Sequence, residues 1–231
     1  ILLYNHVMNQ FKLAWVFMFK NLGFFVIMTL PVIVAETLAA YVLLPMDSLI
    51  TFQDIIDYID SNSLIIIVSG IASILLQVAF VGGVWVAYFA LDNSNKINPF
   101  EVLVYGFKKF FPLFGAFLIV SILTFIGYLF LFLPGIYLAA RFSLFPAAIM
   151  FEDKNVSQAI QWSWNATDKY ALKLFIFTSI FLMLILILVL IITTSLDQGL
   201  IQIGLLSYTE YFFGIPLGYI YFTLYKSIKS T

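Results

Sequence analysis

The chain has 231 residues, 63% of them hydrophobic and 10% charged, with a net charge of −1. A soluble domain averages about 45–50% apolar and about 25% charged residues, so this chain cannot coat a core with polar surface and lipid must be its solvent. The near-zero charge gives no footprint for a nucleic acid. The absence of cysteine, with His6 as the one histidine, excludes disulfides, cysteine nucleophiles and metal sites built from thiolates or histidine clusters. No glycine-rich phosphate loop, HExxH or GxSxG occurs, so no metal, cofactor or catalytic residue is expected. No signal peptide is read in the opening residues, which lack a short apolar core ending in a small-residue cleavage site.

In chain order, residues 4–19 put Tyr4, Val7, Met8, Phe11, Trp15 and Met18 on one helical face, with Asn5, Asn9 and Lys12 opposite. This predicts an amphipathic helix lying in the membrane interface. Residues 22–44 follow as a first span, long enough for a hydrocarbon core of ~30 Å at ~1.5 Å per residue, with a kink expected at Pro31. Residues 45–62 read as a loop with a short amphipathic piece, Phe52, Ile55, Ile56 and Ile59 on one face and Asp54, Asp57 and Asp60 on another. That acidic face is either simply solvated or a site for a divalent cation or a basic partner. Residues 64–91 are the second span.

Asn98-Pro99-Phe100-Glu101 predicts a helix start with a capping box. Phe100, Leu103, Val104, Phe107 and Phe111 form the apolar stripe of that helix, closed by Lys108-Lys109 and Pro112. Residues 113–133 are the third span, Pro134-Gly135 turns the chain, and 136–151 is a short fourth span. Asn155-Val156-Ser157-Gln158 is a second capping box. It opens a helix with Val156, Ala159, Ile160 and Trp164 on one side and Ser157, Gln161, Asn165 and Asp168 on the other. Residues 172–194 are the fifth span, 195–199 a tight turn, and 200–225 the sixth span, broken near Pro216.

The fold class read from this is all-α: a single membrane domain, residues 1–231, with six transmembrane spans and three amphipathic interfacial helices. Three times an amphipathic segment leads into a pair of spans. Units at 1–91, 98–151 and 155–226 therefore suggest a threefold internal repeat, against independent amphipathic linkers as the alternative.

Six spans put both termini on one side. Every lysine falls there, whereas Asp47, Asp54, Asp57, Asp60 and Asp197 lie on the other side without a base. Lysine and arginine in short loops stay cytoplasmic, so both termini and all three interfacial helices are placed in the cytoplasm, against an anionic leaflet. Lys12, Lys20, Lys108, Lys109, Lys169 and Lys173, with Trp15, Trp162 and Trp164, are the candidate headgroup and interface residues, each lysine near the surface adding ~1 kcal/mol of attraction. These helices either anchor and orient the bundle or recruit lipid.

Glu36, Arg141 and Glu210 fall inside spans, at depths that would let them meet, and Gln77 could join them. One arginine with two carboxylates would leave one acid to hold a proton or a cation. The other reading is a buried ion pair that sets helix register. Gly214-x-x-x-Gly218 and Gly83-x-x-x-Ala87 offer close helix packing, within the bundle or in a dimer.

Leu133-Pro134-Gly135, the run to Pro146, Glu152-Asp153-Lys154, and Ala159 and Ser163 in the following amphipathic helix resemble the YciC-like family of bacterial integral membrane proteins. The layout of interfacial helix plus six spans is similar too. The resemblance implies a bacterial inner-membrane protein, multi-pass and with no catalytic residues to carry over. The expected function is an accessory or scaffold protein of the bacterial envelope, not an enzyme, that interacts with membrane lipid or a partner complex. The alternative is a transporter or carrier of lipid or a small amphiphile using the intramembrane polar site. A protein partner or a homo-oligomer is open, and no nucleic acid is expected.

Overall fold

The computed structural model describes residues 2–230, and the side chains of 8–230. Tyr4, Asn5, His6 and Val7 of the first predicted helix thus lie outside the described side chains. The described chain is all helical: α1 (Leu2–Lys20), α2 (Leu22–Leu43), α3 (Phe52–Asp92), α4 (Pro99–Lys108), α5 (Phe110–Phe130), α6 (Phe132–Phe142), α7 (Phe145–Glu152), α8 (Val156–Ala166), α9 (Ala171–Ser195) and α10 (Leu200–Lys229), with 3-10 turns at Leu44–Ser48 and Asp168–Tyr170. Five segments are long and apolar enough to cross a membrane: Leu22–Ser48, Phe52–Asp92, Phe110–Phe130, Phe132–Glu152 and Asp168–Ser195. This is a multi-pass membrane architecture. Helix α10 has the length, but Gln202, Ser207, Thr209 and Glu210 dilute its hydropathy, so it is not among the five.

Several boundaries depart from expectation, each for a local reason. The acidic amphipathic piece and the second span are one helix, α3, of 41 residues, or ~61 Å. Ser61-Asn62-Ser63 holds no proline or glycine to stop it, and Thr51 opens it with a capping box to Asp54. In α4, Asn98 accepts from Phe100 N and Pro99 sits in the first turn, but Glu101 does not reach back, so there is no box there. The Asn155–Gln158 box of α8 has both hydrogen bonds, at 3.0 and 3.2 Å. The α5–α6 turn falls at Leu131, with Pro134-Gly135 inside the first turn of α6, where a missing amide hydrogen costs nothing. Proline is tolerated at Pro31 and Pro216 within continuous helices, so α10 is unbroken. The short fourth span is the one that breaks, between α6 and α7 at Ser143-Leu144. There the buried Ser163 accepts from Leu144 N at 3.1 Å and donates to Arg141 O at 2.9 Å.

Packing begins at glycines. A Cβ on Gly106 would lie 1.9 Å from Ala79 O and one on Gly83 2.5 Å from Val102 O, so α4 and α3 meet backbone to backbone. That close approach selects the small face of α4 for burial, Val102, Leu103 and Gly106. The phenylalanines of the predicted stripe, Phe100, Phe107 and Phe111, face outward. Gly127 and Gly135 pack the α5–α6 hairpin in the same way, with the ring of Tyr128 over Gly135. Gly218 lies under Tyr88, whereas Gly214 faces open space.

The main core is aromatic. Tyr88 of α3 is fully buried and donates to Ile215 O of α10 at 2.7 Å, ringed by Phe17, Phe25, Trp85 and Phe222. Phe17 of α1 stacks on Tyr219 at 3.7 Å. The apolar face of α1 packs on protein, Phe11 and Trp15 meeting Phe181 of α9 and Phe213 of α10, where a helix resting on lipid was expected. At one end of the bundle three ionic clips join helix termini: Lys226 to Asp92, Lys229 and Lys154 to Glu152, and Lys109 to Asp153.

Candidate intramembrane polar site and lateral clefts

Glu36 projects from the middle of α2 and Glu210-Tyr211 from the middle of α10, which packs along it. Tyr211 donates to Glu36 Oε2 at 2.9 Å. Gln77 of α3, held by its own Nε2 donating to Ser73 Oγ at 2.9 Å, lines a small cavity of about 190 Å³ with Glu210 and Tyr211. Phe80, Val84 and Phe117 make its apolar wall. The structure thus gathers three of the four predicted polar residues. Among the described residues no ion pair involves either glutamate, and no group of three or more His, Cys, Asp or Glu side chains comes together for a metal.

Arg141 is elsewhere, which corrects the expected triad. It stands in the last turn of α6, a helix that packs mainly on α5, α9 and α8. Its guanidinium donates to Thr167 Oγ1 (3.1 Å), Tyr137 Oη (2.7 Å), Trp164 O (2.6 Å) and Asp168 Oδ1 (2.9 Å), and lies 4.0 Å over the Trp164 ring. Asp168, assigned from sequence to a solvated face, is its counter-ion. Buried to 3% exposure, Arg141 ties α6 to the α8–α9 connection. Tyr211, Tyr137 and Thr167 were not singled out in the sequence. Tyr211 follows Glu210 directly, which was the available signal, but a hydroxyl in a span says nothing about which helix it will meet.

The predicted interface residues divide. Lys12, Lys20, Lys108 and Lys169 are exposed, Lys173 is half-buried, and Lys109 is committed to Asp153. Trp15 packs among Phe11, Phe19, Phe181 and Phe212. Trp162 lies against Tyr225 and under Lys229, and Trp164 under Arg141. The tryptophans are therefore packing groups first.

Three clefts open sideways between helices. The largest, about 880 Å³, lies between α2 and α3. A second of about 710 Å³ lies between α5, α6 and α8, and a third of about 530 Å³ between α6 and α9. All are lined mainly by aliphatic and aromatic side chains, and the outer faces around them carry exposed Leu30, Ile71, Ile122 and Ile187. No family model matches the chain, and no curated protein or solved structure matches it either.

Proposed function

We propose that the chain is a six-span bacterial inner-membrane protein of YciC-like type, with both termini cytoplasmic, that acts without chemistry of its own as a lipid-organising accessory or scaffold protein. The single observation that carries this reading is the set of three lateral apolar clefts. Their volumes fall in the ~300–1,000 Å³ range of small-molecule sites, and they open where a bilayer would present acyl chains. In this reading α10 is the sixth span, with Gln202, Ser207 and Thr209 buried within the bundle, and the exposed lysines sit against anionic headgroups. The three units 1–91, 98–151 and 155–226 share one plan of amphipathic helix plus hairpin.

Gentle native purification followed by mass spectrometry tests it. Lipid retained in defined stoichiometry is the expected result, and a protein recovered with only exchangeable bulk lipid and no partner would overturn it.

The Glu36–Tyr211–Glu210–Gln77 cluster favours a second reading, a carrier that uses a proton or a cation. Carboxylates at membrane depth are costly unless protonated or met by a cation. Proteoliposomes in which Glu36→Gln and Glu210→Gln fold normally but lose substrate-linked proton movement would support it. Unchanged activity in both variants would remove it.

A further inference from the structure

The α2–α3 cleft has a direction. The two helices are clipped where Tyr58 donates to Val42 O at 2.6 Å, and the cleft begins one turn below that clip. Its rim is polar, Ser61, Asn62 and Ser63, while deeper in, Pro31, Val34 and Leu38 of α2 face Val68 and Ala72 of α3. From Ser61 to Ala72 is about 16 Å along the helix, the run of an extended hydrocarbon chain.

The lining stripe of α3 continues upward into acids. Asp57 stands one turn before Ser61 and Asp60 one turn before Leu64, so both stand on the helix just beyond the rim, outside the cleft lining. Asp54 is already occupied in the cap with Thr51, but Asp57 accepts only from Gln53, at 2.8 Å, and both Asp57 and Asp60 are exposed. The carboxyl end of α2, whose dipole is negative, closes the same end of the cleft. No lysine, arginine or histidine occurs anywhere from residue 21 to residue 95. An anionic headgroup at this rim would meet carboxylates and a negative helix end with no compensating base.

We infer that the α2–α3 cleft seats the hydrocarbon chain of a membrane amphiphile whose head is a protonated amine, held at the Ser61–Ser63 rim beneath Asp57 and Asp60. This rests on reading the lateral clefts as lipid contacts and adds the class of head. The hydroxyls of Ser61 and Ser63 accept from the ammonium hydrogens, and the two carboxylates set the charge preference. The occupant approaches sideways from the leaflet on the side of Asp47 and Asp57, opposite the lysine-rich end.

The chain has no cysteine, so Ile59→Cys, exposed one turn before Ser63 and outside the cleft lining, can carry one fluorophore above the rim and Ile122→Cys one at a lipid-facing control position. Both are reconstituted in phosphocholine bilayers containing a few percent of a nitroxide-chain amphiphile with an amine, phosphocholine or phosphoglycerol head. At pH 7 the amine amphiphile should quench the rim label about fivefold more than the net-neutral phosphocholine one, relative to the control label, the effect of about one charge near a membrane surface, and the phosphoglycerol one should quench it least. In the Asp57→Asn/Asp60→Asn variant that ratio should fall toward one, and Ala72→Trp, which fills the deep end, should remove excess rim quenching for every head. Equal or reversed preference, or a preference that survives Asp57→Asn/Asp60→Asn, overturns the assignment of the head. If Ala72→Trp leaves the excess quenching intact, the cleft is not a chain site and the lipid-organising reading falls with it.

Discussion

Arg141 is tolerable inside the bundle because four of its five N–H groups are committed, three to the α8–α9 connection and one to Tyr137 of its own helix, and its plane is stacked on Trp164. Its ion pair adds less than the neutral partners, because the Asp168 side chain is 74% exposed and water screens it. Arg141→Ala should cost about 2–3 kcal/mol, since hydrogen bonds from a charged donor to buried acceptors are lost, and Arg141→Lys should recover little, lacking the planar fork. Asp168→Asn should cost under about 1 kcal/mol. Thermal denaturation in a mild detergent reads all three, and an Asp168→Asn loss as large as that of Arg141→Ala would show the charge pair to be the main contribution. Ser163→Ala should cost about 1–3 kcal/mol, because it strands the buried Leu144 N–H at the α6–α7 break.

At the scale of elements, the α3–α4 pair depends on two backbones touching. Gly106→Ala would press a methyl into Ala79 O and Gly83 N of the facing helix, and neither atom can move without moving its helix. A loss of at least about 3 kcal/mol is expected, at the upper end of overpacking costs. Gly70→Ala is the control: it lies inside α3 with nothing within 4 Å of the added methyl, so it should stabilise by about 0.5–1 kcal/mol through helix propensity alone. If the two alanine variants behaved alike in melting temperature, the close approach of α4 would be wrong. The N-terminus of α3 depends on a smaller device. Thr51→Ala removes the cap that starts a 41-residue helix and should cost about 1 kcal/mol, visible as local hydrogen exchange over residues 52–60 and not as global unfolding.

At the scale of the whole molecule, the six-span proposal makes a sharp statement about sides. Single cysteines in the cysteine-free chain, reacted with a membrane-impermeant reagent, should label Ser48→Cys and Asp197→Cys from one side, and Asn95→Cys and Ser230→Cys only from the other. Labelling of Ser230→Cys together with Asp197→Cys would mean that α10 does not cross. The ionic clips at Asp92, Glu152 and Asp153 hold the other end together. Glu152 is the shared acceptor of Lys154 and Lys229, so Glu152→Gln should loosen the end of α10 and lower the melting temperature more at low salt than at high salt, because mobile ions screen such pairs.

Hydropathy and the Asn155 helix start were legible from residue order, because length of apolar run and capping are properties of neighbours along the chain. The sequence by itself therefore determined a membrane-spanning helical protein and the Asn155–Gln158 start of α8, and it placed Glu36, Arg141 and Glu210 at depths where they could meet. Only the tertiary structure decided which residues at a given depth share a helix interface. Arg141 had the right depth to join Glu36 and Glu210, yet α6 packs on α8 and α9, and the guanidinium found Trp164, Thr167 and Asp168 there. In the same way the apolar stripe around α4 was legible, but only the close approach at Gly83 and Gly106 decided that Val102 and Leu103 pack on α3 while Phe100 and Phe107 stay outside. In lipid, apolar side chains gain little by leaving the solvent, so closeness of backbone and polar pairing choose the interfaces, and neither is written in the periodicity of one strand of sequence.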